Sequence, residues 1–272
     1  MLRGAGPLLG SAHIEPSLAV TLAATALAVG AGLGTHALFV TLAVGAGQLS
    51  IGWSNDWLDH RRDLDAGRTD KPVAQGHISA HAVAVAAASA LAVCVIASLA
   101  LGPVAGAVHL VAVAAGWFYN LRAKHTWYSV APWALAFGLL PAVVTMTAPL
   151  GRWPAWWVLA TGAVLGSGAH FANALPDLDD DLATGVHGLP HRLGHRRSLL
   201  ATLALICGGT IAVSTGSPNR TAAVWVGGVG TALLVAVAVA VGYGRDRLAF
   251  RGVVALLLLL TIGLVASGTA LY

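Results

Sequence analysis

Charged residues are scarce in this sequence, and their scarcity excludes a soluble globular domain. Only 10% of the 272 residues are Asp, Glu, Lys or Arg, whereas 57% are hydrophobic. That balance is typical of a polytopic membrane protein. Cysteine is scarce as well: Cys94 and Cys207 lie far apart within apolar stretches, so the sequence indicates no disulfide.

Long apolar runs of Ala, Val, Leu and Gly separate the few charges. Crossing the hydrocarbon core of about 30 Å takes about 20 such residues in a helix. We therefore predict an all-α bundle of about nine transmembrane helices, in a single transmembrane domain over residues 1–272. The predicted spans are residues 17–34, 35–53, 80–101, 103–119, 130–149, 154–174, 198–216, 221–243 and 251–271.

Lys and Arg are distributed unequally between the two sides of this predicted bundle. If the N-terminus is cytoplasmic, thirteen of the fifteen, from Arg3 to Arg251, lie on the cytoplasmic side. Only Arg152 and Arg220 lie on the other side. This positive-inside bias predicts the orientation of a multi-pass protein of the cell membrane. It also accounts for the net charge of +4, so we expect lipid around the protein and no nucleic-acid partner.

The acidic residues are few and concentrated in two short segments. Of the eleven, five lie between Asp56 and Asp70 and four between Asp177 and Asp181. Both segments fall on the predicted cytoplasmic side. Carboxylate oxygens are the ligands that hard cations prefer in proteins. Such a concentration in an otherwise apolar chain therefore indicates a cation site.

The two acidic segments also share one pattern, N-x3-D-x3-D-x3-G-x4-P-x3-G, whose second copy begins 118 residues after the first. Four predicted helices separate the copies, an even number that puts both on the same side. We interpret this as a parallel internal duplication around a shared site. The matched pairs are Asn55 and Asn173, Asp59 and Asp177, Asp63 and Asp181, Leu64 and Leu182, Gly67 and Gly185, Pro72 and Pro190, Gly76 and Gly194, and His77 and His195.

The spacing within each copy has a structural meaning. Positions i, i+4 and i+8 lie on one face of a helix, so each copy would project an amide and two carboxylates along one stripe. Carboxylates stacked in this way repel each other unless a positive charge lies between them. We expect Mg²⁺ there, since Mg²⁺ uses few carboxylates together with phosphate oxygens. We expect Gly67 and Gly185 in the turns that end each helix, and a kink at Pro176.

Basic residues beside the acidic segments suggest the second ligand. A molecule that is anionic and also chelates a metal suits such surroundings, and a diphosphate is the simplest example. We favour a binding role for Arg68, Lys71, Tyr119 and Lys124. We assign five other arginines to the positive-inside signal alone: Arg196, Arg197, Arg245, Arg247 and Arg251.

Three segments resemble the signatures of one known family. Asn55-Asp56-x-x-Asp59-x-x-x-Asp63, followed by Arg68-Thr69-Asp70-Lys71-Pro72, resembles the first signature of the UbiA-type intramembrane prenyltransferases. Tyr119-Asn120-Leu121-Arg122-Ala123-Lys124 is similar to the family's short tyrosine-and-lysine loop. Asp177-x-x-x-Asp181-x-x-x-Gly185 is similar to its second signature. The resemblance runs from about residue 50 to residue 197.

The resemblance implies a Mg²⁺-dependent transfer of a prenyl group from a prenyl diphosphate to an acceptor, often an aromatic ring. It implies that Asn55, Asp59 and Asp63 hold one ion, and that Asp177 and Asp181 hold the other. It also implies that the diphosphate is bound by Arg68, Lys71, Tyr119 and Lys124. Among these residues we expect Asp59, Asp177 and Lys124 to be catalytic.

The sequence leaves other functions open. Within the same fold the protein could be a terpene cyclase, in which the prenyl cation is captured within its own chain. A cation-coupled transporter is less favoured, because transporter acids usually lie near the bilayer midplane. The second signature also departs from the family pattern, since His187 and Gly188 stand where a basic residue and Thr are usual. The acceptor itself is not indicated.

Overall fold

The protein is all-helical in the computed structural model, which describes residues 5–69, 71–217 and 219–266. Arg3, Asp70 and the last five residues of the predicted span 251–271 lie outside the described residues. No β-strand occurs in the described ranges. The helices are α1 (Ala5–Gly10), α2 (Ile14–Gly30), α3 (His36–Asp65), α4 (Ala80–Leu99), α5 (Pro103–Leu121), α6 (Val130–Thr147), α7 (Trp156–Ala174), α8 (Leu178–Ala183), α9 (Leu189–Leu193), α10 (His195–Gly216), α11 (Arg220–Gly242) and α12 (Asp246–Ala266).

Eight helical segments of the described chain are long and apolar enough to cross a membrane. They correspond to the second to ninth predicted spans, so the prediction of a multi-pass α-helical protein is confirmed. The first predicted span corresponds to α2, which has 17 residues and falls short of the other eight. At 1.5 Å per residue α2 extends over about 26 Å, slightly less than the hydrocarbon core.

The long helices form a closed ring in chain order, because each packs against the next and α12 returns to α2. Small residues allow the close approach of neighbouring helices in this ring. A Cβ at Gly106 would lie 2.4 Å from the Ser98 carbonyl oxygen, and one at Gly162 would lie 2.5 Å from the Phe137 carbonyl oxygen. The ring surrounds an internal chamber, whose lining is described with the site below.

The two copies of the acidic pattern are built differently. The first lies on α3, whose 30 residues form one uninterrupted helix of about 45 Å. The second is interrupted: α7 ends at Ala174, a 3₁₀ turn covers Leu175–Asp177, and α8 begins at Leu178. Pro176 explains the interruption, because it lacks an N–H and clashes with the preceding turn. The α-helix is therefore broken at Pro176, where the sequence predicts a disturbance, and the second copy does not form one continuous α-helical stripe.

The turns that follow the two copies are alike, as the repeat predicts. Gly67 and Gly185 both have positive φ, at 64° and 86°. Beyond each glycine the backbone N–H bonds back five residues, from Arg68 to the Asp63 carbonyl at 3.0 Å and from Val186 to the Asp181 carbonyl at 2.9 Å. This is the hydrogen bond that closes a Schellman turn at a helix end. The glycines thus turn the chain immediately after each aspartate pair.

Candidate active site

The first acidic copy is buried and surrounded by bases. The side chains of Asp59 and Asp63 are only 9% and 5% exposed. Arg62 Nη2 donates to Asp59 Oδ2 at 3.0 Å and to Asp63 Oδ1 at 3.4 Å. Nζ of Lys124 donates to Asp59 Oδ1. The carboxylates at i and i+4 therefore have the intervening positive charge that their mutual repulsion requires.

Lys124 reaches this cluster from the loop between α5 and α6. It belongs to the 3₁₀ turn Ala123–His125, and its side chain is 5% exposed. Burial lowers the pKa of the Lys124 ammonium, while the adjacent Asp59 carboxylate acts in the opposite direction. Removing Asp59 would leave the Lys124 ammonium buried without this partner, which is costly. The loop is thus anchored to α3 by charge.

Asp56, on the same helix, forms a second charged cluster with Lys71 and with His13 of the N-terminal segment. Its carboxylate Oδ1 lies 2.7 Å from Lys71 Nζ and 3.1 Å from His13 Nε2. Gly52 makes room for this segment, because a Cβ there would lie 2.3 Å from the Ala12 carbonyl oxygen. Lys71, predicted to bind diphosphate, therefore already contacts two protein side chains. Its ammonium has a third N–H donor.

The second acidic copy is more open, with Asp177 35% and Asp181 22% exposed at the side chain. Arg68 Nη2 lies 3.6 Å from Asp177 Oδ1. This ion pair joins the turn after the first copy to the second copy, so the fold brings the two acidic segments together. Asp181 Oδ2 lies 3.2 Å from His191 Nε2 on α9.

The loop that carries Lys124 and the segment that carries Gly188 meet tightly beside the contact between Asp181 and His191. A Cβ at Gly188 would lie 2.9 Å from the Lys124 carbonyl oxygen and 3.0 Å from Ser129 Oγ, so glycine permits the approach. Ser129 Oγ also accepts from the Leu189 N–H at 2.8 Å and lies 2.9 Å from His170 Nε2. The ring of Tyr119 packs edge-on against that of His170, with 5.5 Å between centroids. These contacts fix the tyrosine-and-lysine loop against the second signature.

A polar pocket of about 1010 Å³ lies between the ends of the two acidic copies. Its lining includes Asp63 and Arg68 from one copy and Asp177 from the other. Below it, inside the helix ring, lies an apolar chamber with Asn55 and Asn173 in its wall. The first copy therefore runs from Asn55 at the chamber to Asp63 at the polar pocket, two turns of α3 further along the chain. The second runs from Asn173 at the chamber to Asp177 at the pocket.

The chamber has two branches that share the lining residues Pro16, Val20, Gln48, Trp133, Phe137 and Leu140. The α5 branch, of about 180 Å³, includes Tyr119 and Asn120 near the acidic motifs and His109 deeper in the bundle. The α12 branch, of about 150 Å³, is lined by apolar side chains of α2, α7 and α12 and by two threonines.

The donor chemistry of the two copies suits a hard cation. The candidate ligands are the oxygens of Asn55, Asp59, Asp63, Asp177 and Asp181. The amide N–H₂ of Asn55 is 3.4 Å from Asn120 Oδ1, an orientation that leaves the Asn55 carbonyl oxygen to accept a cation. No three His, Cys, Asp or Glu side chains of the described residues converge into a closed ligand cage. Mg²⁺ uses few protein carboxylates and completes its shell with water and phosphate oxygens, which matches this open arrangement.

Several residues that the fold brings to the site were not predicted from the sequence. Arg62 lies between Asp59 and Asp63, and its Nε and Nη1 are buried without a hydrogen-bond partner in the described ranges. Arg247, assigned from the sequence to the positive-inside signal alone, lines the polar pocket with Nη2 4.0 Å from Asp177 Oδ1. His191 and His195 are four residues apart in the sequence, a spacing that would put them on one face of a continuous helix. In the structure they contact different aspartates, Asp181 and Asp246.

The model of the UbiA prenyltransferase family matches residues 17–251, which is most of the sequence. The chain belongs to the UbiA prenyltransferase family. This confirms the resemblance found in the three signature segments, and it identifies the apolar helices as those of a membrane-embedded family. Comparison with curated proteins gives no significant match.

Solved structures of other UbiA homologues have the same fold. The apo structure of a homologue from Aeropyrum pernix K1 matches with a TM-score of 0.74 and 17% identity, over 91% of this chain and 97% of that one. A homologue from Archaeoglobus fulgidus bound to GPP and Mg²⁺ matches with a TM-score of 0.69 and 17% identity, over 96% and 99%. A structure of digeranylgeranylglyceryl phosphate synthase matches with a TM-score of 0.64 and 14% identity, over 98% and 97%.

Proposed function

We propose that this protein is a Mg²⁺-dependent prenyltransferase that transfers a prenyl group from a prenyl diphosphate to an acceptor within the membrane. The observation that carries the proposal is the course of the two acidic copies, from an apolar chamber to a polar pocket. A prenyl diphosphate likewise consists of an apolar part, its prenyl chain, and a charged part, its diphosphate head. Its head would lie in the pocket and its chain in the chamber.

In this proposal the two acidic copies hold the cations. Asn55, Asp59 and Asp63 form one set of ligands, and Asp177 and Asp181 form the other. Mg²⁺ bound there would neutralise charge that develops on the leaving diphosphate. The Archaeoglobus fulgidus homologue with the same fold was solved with GPP and Mg²⁺, and also with DMAPP and Mg²⁺, which supports Mg²⁺ as the cation.

The basic residues would bind the diphosphate itself. Arg68 is suited to this because it lies between the two copies and offers a planar fork of donors. Lys124 and Lys71 would contribute ammonium donors, and Tyr119 would contribute its hydroxyl from the chamber wall. Preorganised donors of this kind stabilise the charge of the departing group in the transition state. The apolar chamber would keep water away from the prenyl cation.

The orientation follows from charge. The acidic motifs and thirteen of the fifteen Lys and Arg residues belong to one end of the bundle by sequence position. The positive-inside rule places that end in the cytoplasm. The protein is therefore proposed to be a single transmembrane domain that takes its diphosphate substrate from the cytoplasmic side.

The proposal is tested by measuring diphosphate release. Purified protein in lipid nanodiscs is incubated with dimethylallyl, geranyl, farnesyl or geranylgeranyl diphosphate, with Mg²⁺ or with EDTA. We expect Mg²⁺-dependent release with at least one chain length, and its loss in Asp59→Ala. No release with any of the four substrates would contradict the proposal. Analysis of the prenyl product separates transfer to an acceptor from cyclisation.

A further inference from the structure

His109 is a polar side chain buried deep in the apolar part of the bundle. It lies on α5, is 3% exposed and lines the α5 branch of the chamber. Tyr119 follows ten residues later, so His109 lies about 15 Å further from the acidic motifs along the helix. A polar ring at this depth is costly unless its nitrogens are hydrogen-bonded. The proposed roles of the acidic and basic residues give it no function.

The contacts of His109 fix which ring nitrogen carries the proton. The Ser98 hydroxyl donates to the Cys94 carbonyl oxygen at 2.6 Å, which uses its one hydrogen. Ser98 Oγ, 2.7 Å from His109 Nδ1, can then only accept from it. Nδ1 is therefore protonated, and Nε2 of the neutral ring is a hydrogen-bond acceptor.

That acceptor is directed at the chamber. No described residue forms a hydrogen bond with Nε2, yet this nitrogen is not sealed off inside the protein. It is accessible from the α5 branch, which His109 lines. A buried histidine with one nitrogen held by the protein and the other open to a cavity is arranged to accept a hydrogen bond from a ligand.

Gln48 is a second polar group near the same depth. It precedes Asn55 by seven residues, which puts it on the same face of α3 about 10 Å below. Its neighbour Gly47 lets α5 approach closely: a Cβ there would lie 2.9 Å from Val113 Cγ2 and 3.5 Å from His109 Cε1. His109 is thus held against α3 beside Gln48. The Gln48 amide and the His109 imidazole thus form a polar floor, that is, a polar patch in the deep part of the α5 branch.

The α12 branch has no such floor. Its two threonine hydroxyls are already used, since Thr161 donates to the Trp157 carbonyl at 2.7 Å and Thr261 to the Leu257 carbonyl at 2.9 Å. Apart from the shared Gln48, the rest of its lining is apolar. The two branches therefore differ in chemistry: one suits a hydrocarbon chain, and the other suits a molecule with a polar group at its far end.

We propose that the α5 branch is the acceptor subsite, and that the acceptor carries a hydroxyl group which donates a hydrogen bond to Nε2 of His109. The α12 branch would then hold the prenyl chain. This inference rests on the proposed prenyltransferase function and narrows its substrate class to hydroxyl-bearing acceptors. A ligand with an ether or hydrocarbon at that position would leave Nε2 unpaired, and so would bind less well.

Binding of paired probes tests the subsite. The full chain in nanodiscs, with Mg²⁺ and geranyl thiodiphosphate, is titrated with 4-methylphenol and its methyl ether, and with 1-hexanol and its methyl ether. Empty nanodiscs correct for partition into lipid. We expect at least one hydroxyl probe to bind about tenfold or more tightly than its ether. His109→Phe should abolish the difference, and His109→Gln, which restores a hydrogen-bonding group, should recover part of it.

A control keeps the result specific to the chamber. Thr210 is buried and donates to the Ile206 carbonyl at 2.8 Å, but it lines neither branch. Thr210→Val should therefore retain the wild-type preference for the hydroxyl probes. Thermal unfolding of all variants checks that each is folded. Equal binding of both hydroxyl probes and their ethers to the wild type, or a preference that survives in His109→Phe, would overturn the subsite.

The binding of geranyl thiodiphosphate separates the two proposals. If the wild type with Mg²⁺ fails to bind the geranyl analogue and also those of the other three chain lengths, the prenyltransferase function is wrong; otherwise the analogue that binds is used in the titrations. If it binds normally to the wild type and to His109→Phe while no hydroxyl preference appears, only the acceptor subsite is wrong.

Discussion

The two acidic copies share a sequence pattern but differ in their structure. In the first, Asp59 and Asp63 are almost fully buried on an unbroken helix, between Arg62 and Lys124. In the second, Asp177 and Asp181 are partly exposed on a helix that is interrupted at Pro176. The same motif is thus buried on the continuous helix and partly exposed on the interrupted one.

The difference also concerns the partners of the carboxylates. The first copy is neutralised by Arg62 of its own helix and by Lys124 from the loop between α5 and α6. The second depends on residues from elsewhere, on Arg68 of the other copy and on His191 of α9. The first copy thus has one basic partner on its own helix, whereas both partners of the second come from other segments, so the geometry of the second should respond more strongly to changes outside its own motif.

The largest expected effect tests whether both halves are needed. Asp59→Asn and Asp177→Asn should each lower Mg²⁺-dependent turnover by about 10³-fold, because each removes a carboxylate that would hold a cation against the leaving group. Turnover is measured as diphosphate release. Asp179→Asn, on the exposed side of α8, should leave it unchanged. Near-normal turnover in Asp177→Asn would show that the buried half suffices alone.

A second prediction concerns the joint between the two loops. Gly188→Ala places a methyl group 2.9 Å from the Lys124 carbonyl oxygen, which should push the tyrosine-and-lysine loop away from the second copy. We expect kcat/KM to fall between about tenfold and a hundredfold, since small displacements of binding groups are costly.

The matched control for this joint is Gly208→Ala on α10, where an added Cβ meets nothing within 4 Å. It should leave kcat/KM at the wild-type value. If Gly188→Ala behaves in the same way, the two halves do not depend on this contact.

His191 tests the dependence of the second half on residues outside its motif. The ring holds Asp181 at 3.2 Å, and groups that orient a metal ligand commonly contribute tenfold or more to metal affinity. His191→Phe should raise the Mg²⁺ concentration for half-maximal activity about tenfold. His195→Phe removes a histidine that contacts Asp246 instead, and should leave the Mg²⁺ dependence unchanged. Equal Mg²⁺ dependence in both variants would contradict the role of His191.

The smallest expected effect concerns Arg247, which is 73% exposed at the side chain and 4.0 Å from Asp177. Exposed charge pairs contribute little and are screened by salt. Arg247→Gln should raise KM for the prenyl diphosphate only about threefold at low salt, and less at high salt. Arg251→Gln, which breaks an exposed pair with Glu15, should not change KM. A salt-independent loss of activity in Arg247→Gln would mean a more direct role.

Much of the fold could be predicted from the sequence, because a membrane-spanning helix is recognisable from its own local stretch of sequence. A run of about 20 apolar residues predicts a span without knowledge of its neighbours. The glycines at 67 and 185 were predictable for the same reason, since a helix end needs a residue that tolerates positive φ. The interruption at Pro176 follows equally from local backbone chemistry.

The partners of the acidic residues could not be predicted in this way. His13 lies 43 residues before Asp56 in the chain, yet the two side chains are in contact. Arg247 reaches Asp177 from the start of the last helix. Neither position belongs to a repeated pattern, so composition and spacing carry no signal for them. Only the packing of the helix ring brings these residues to the site.

The sequence by itself determined that this is a multi-pass membrane protein with two acidic motifs at one end, because apolar length and residue spacing are local properties. The tertiary structure alone decided that one motif is buried and the other open, and that Gly188 joins the two loops. It alone also decided that His109 lines the chamber with one ring nitrogen held by Ser98. These features depend on contacts between segments far apart in the chain, which only the closed ring of helices specifies.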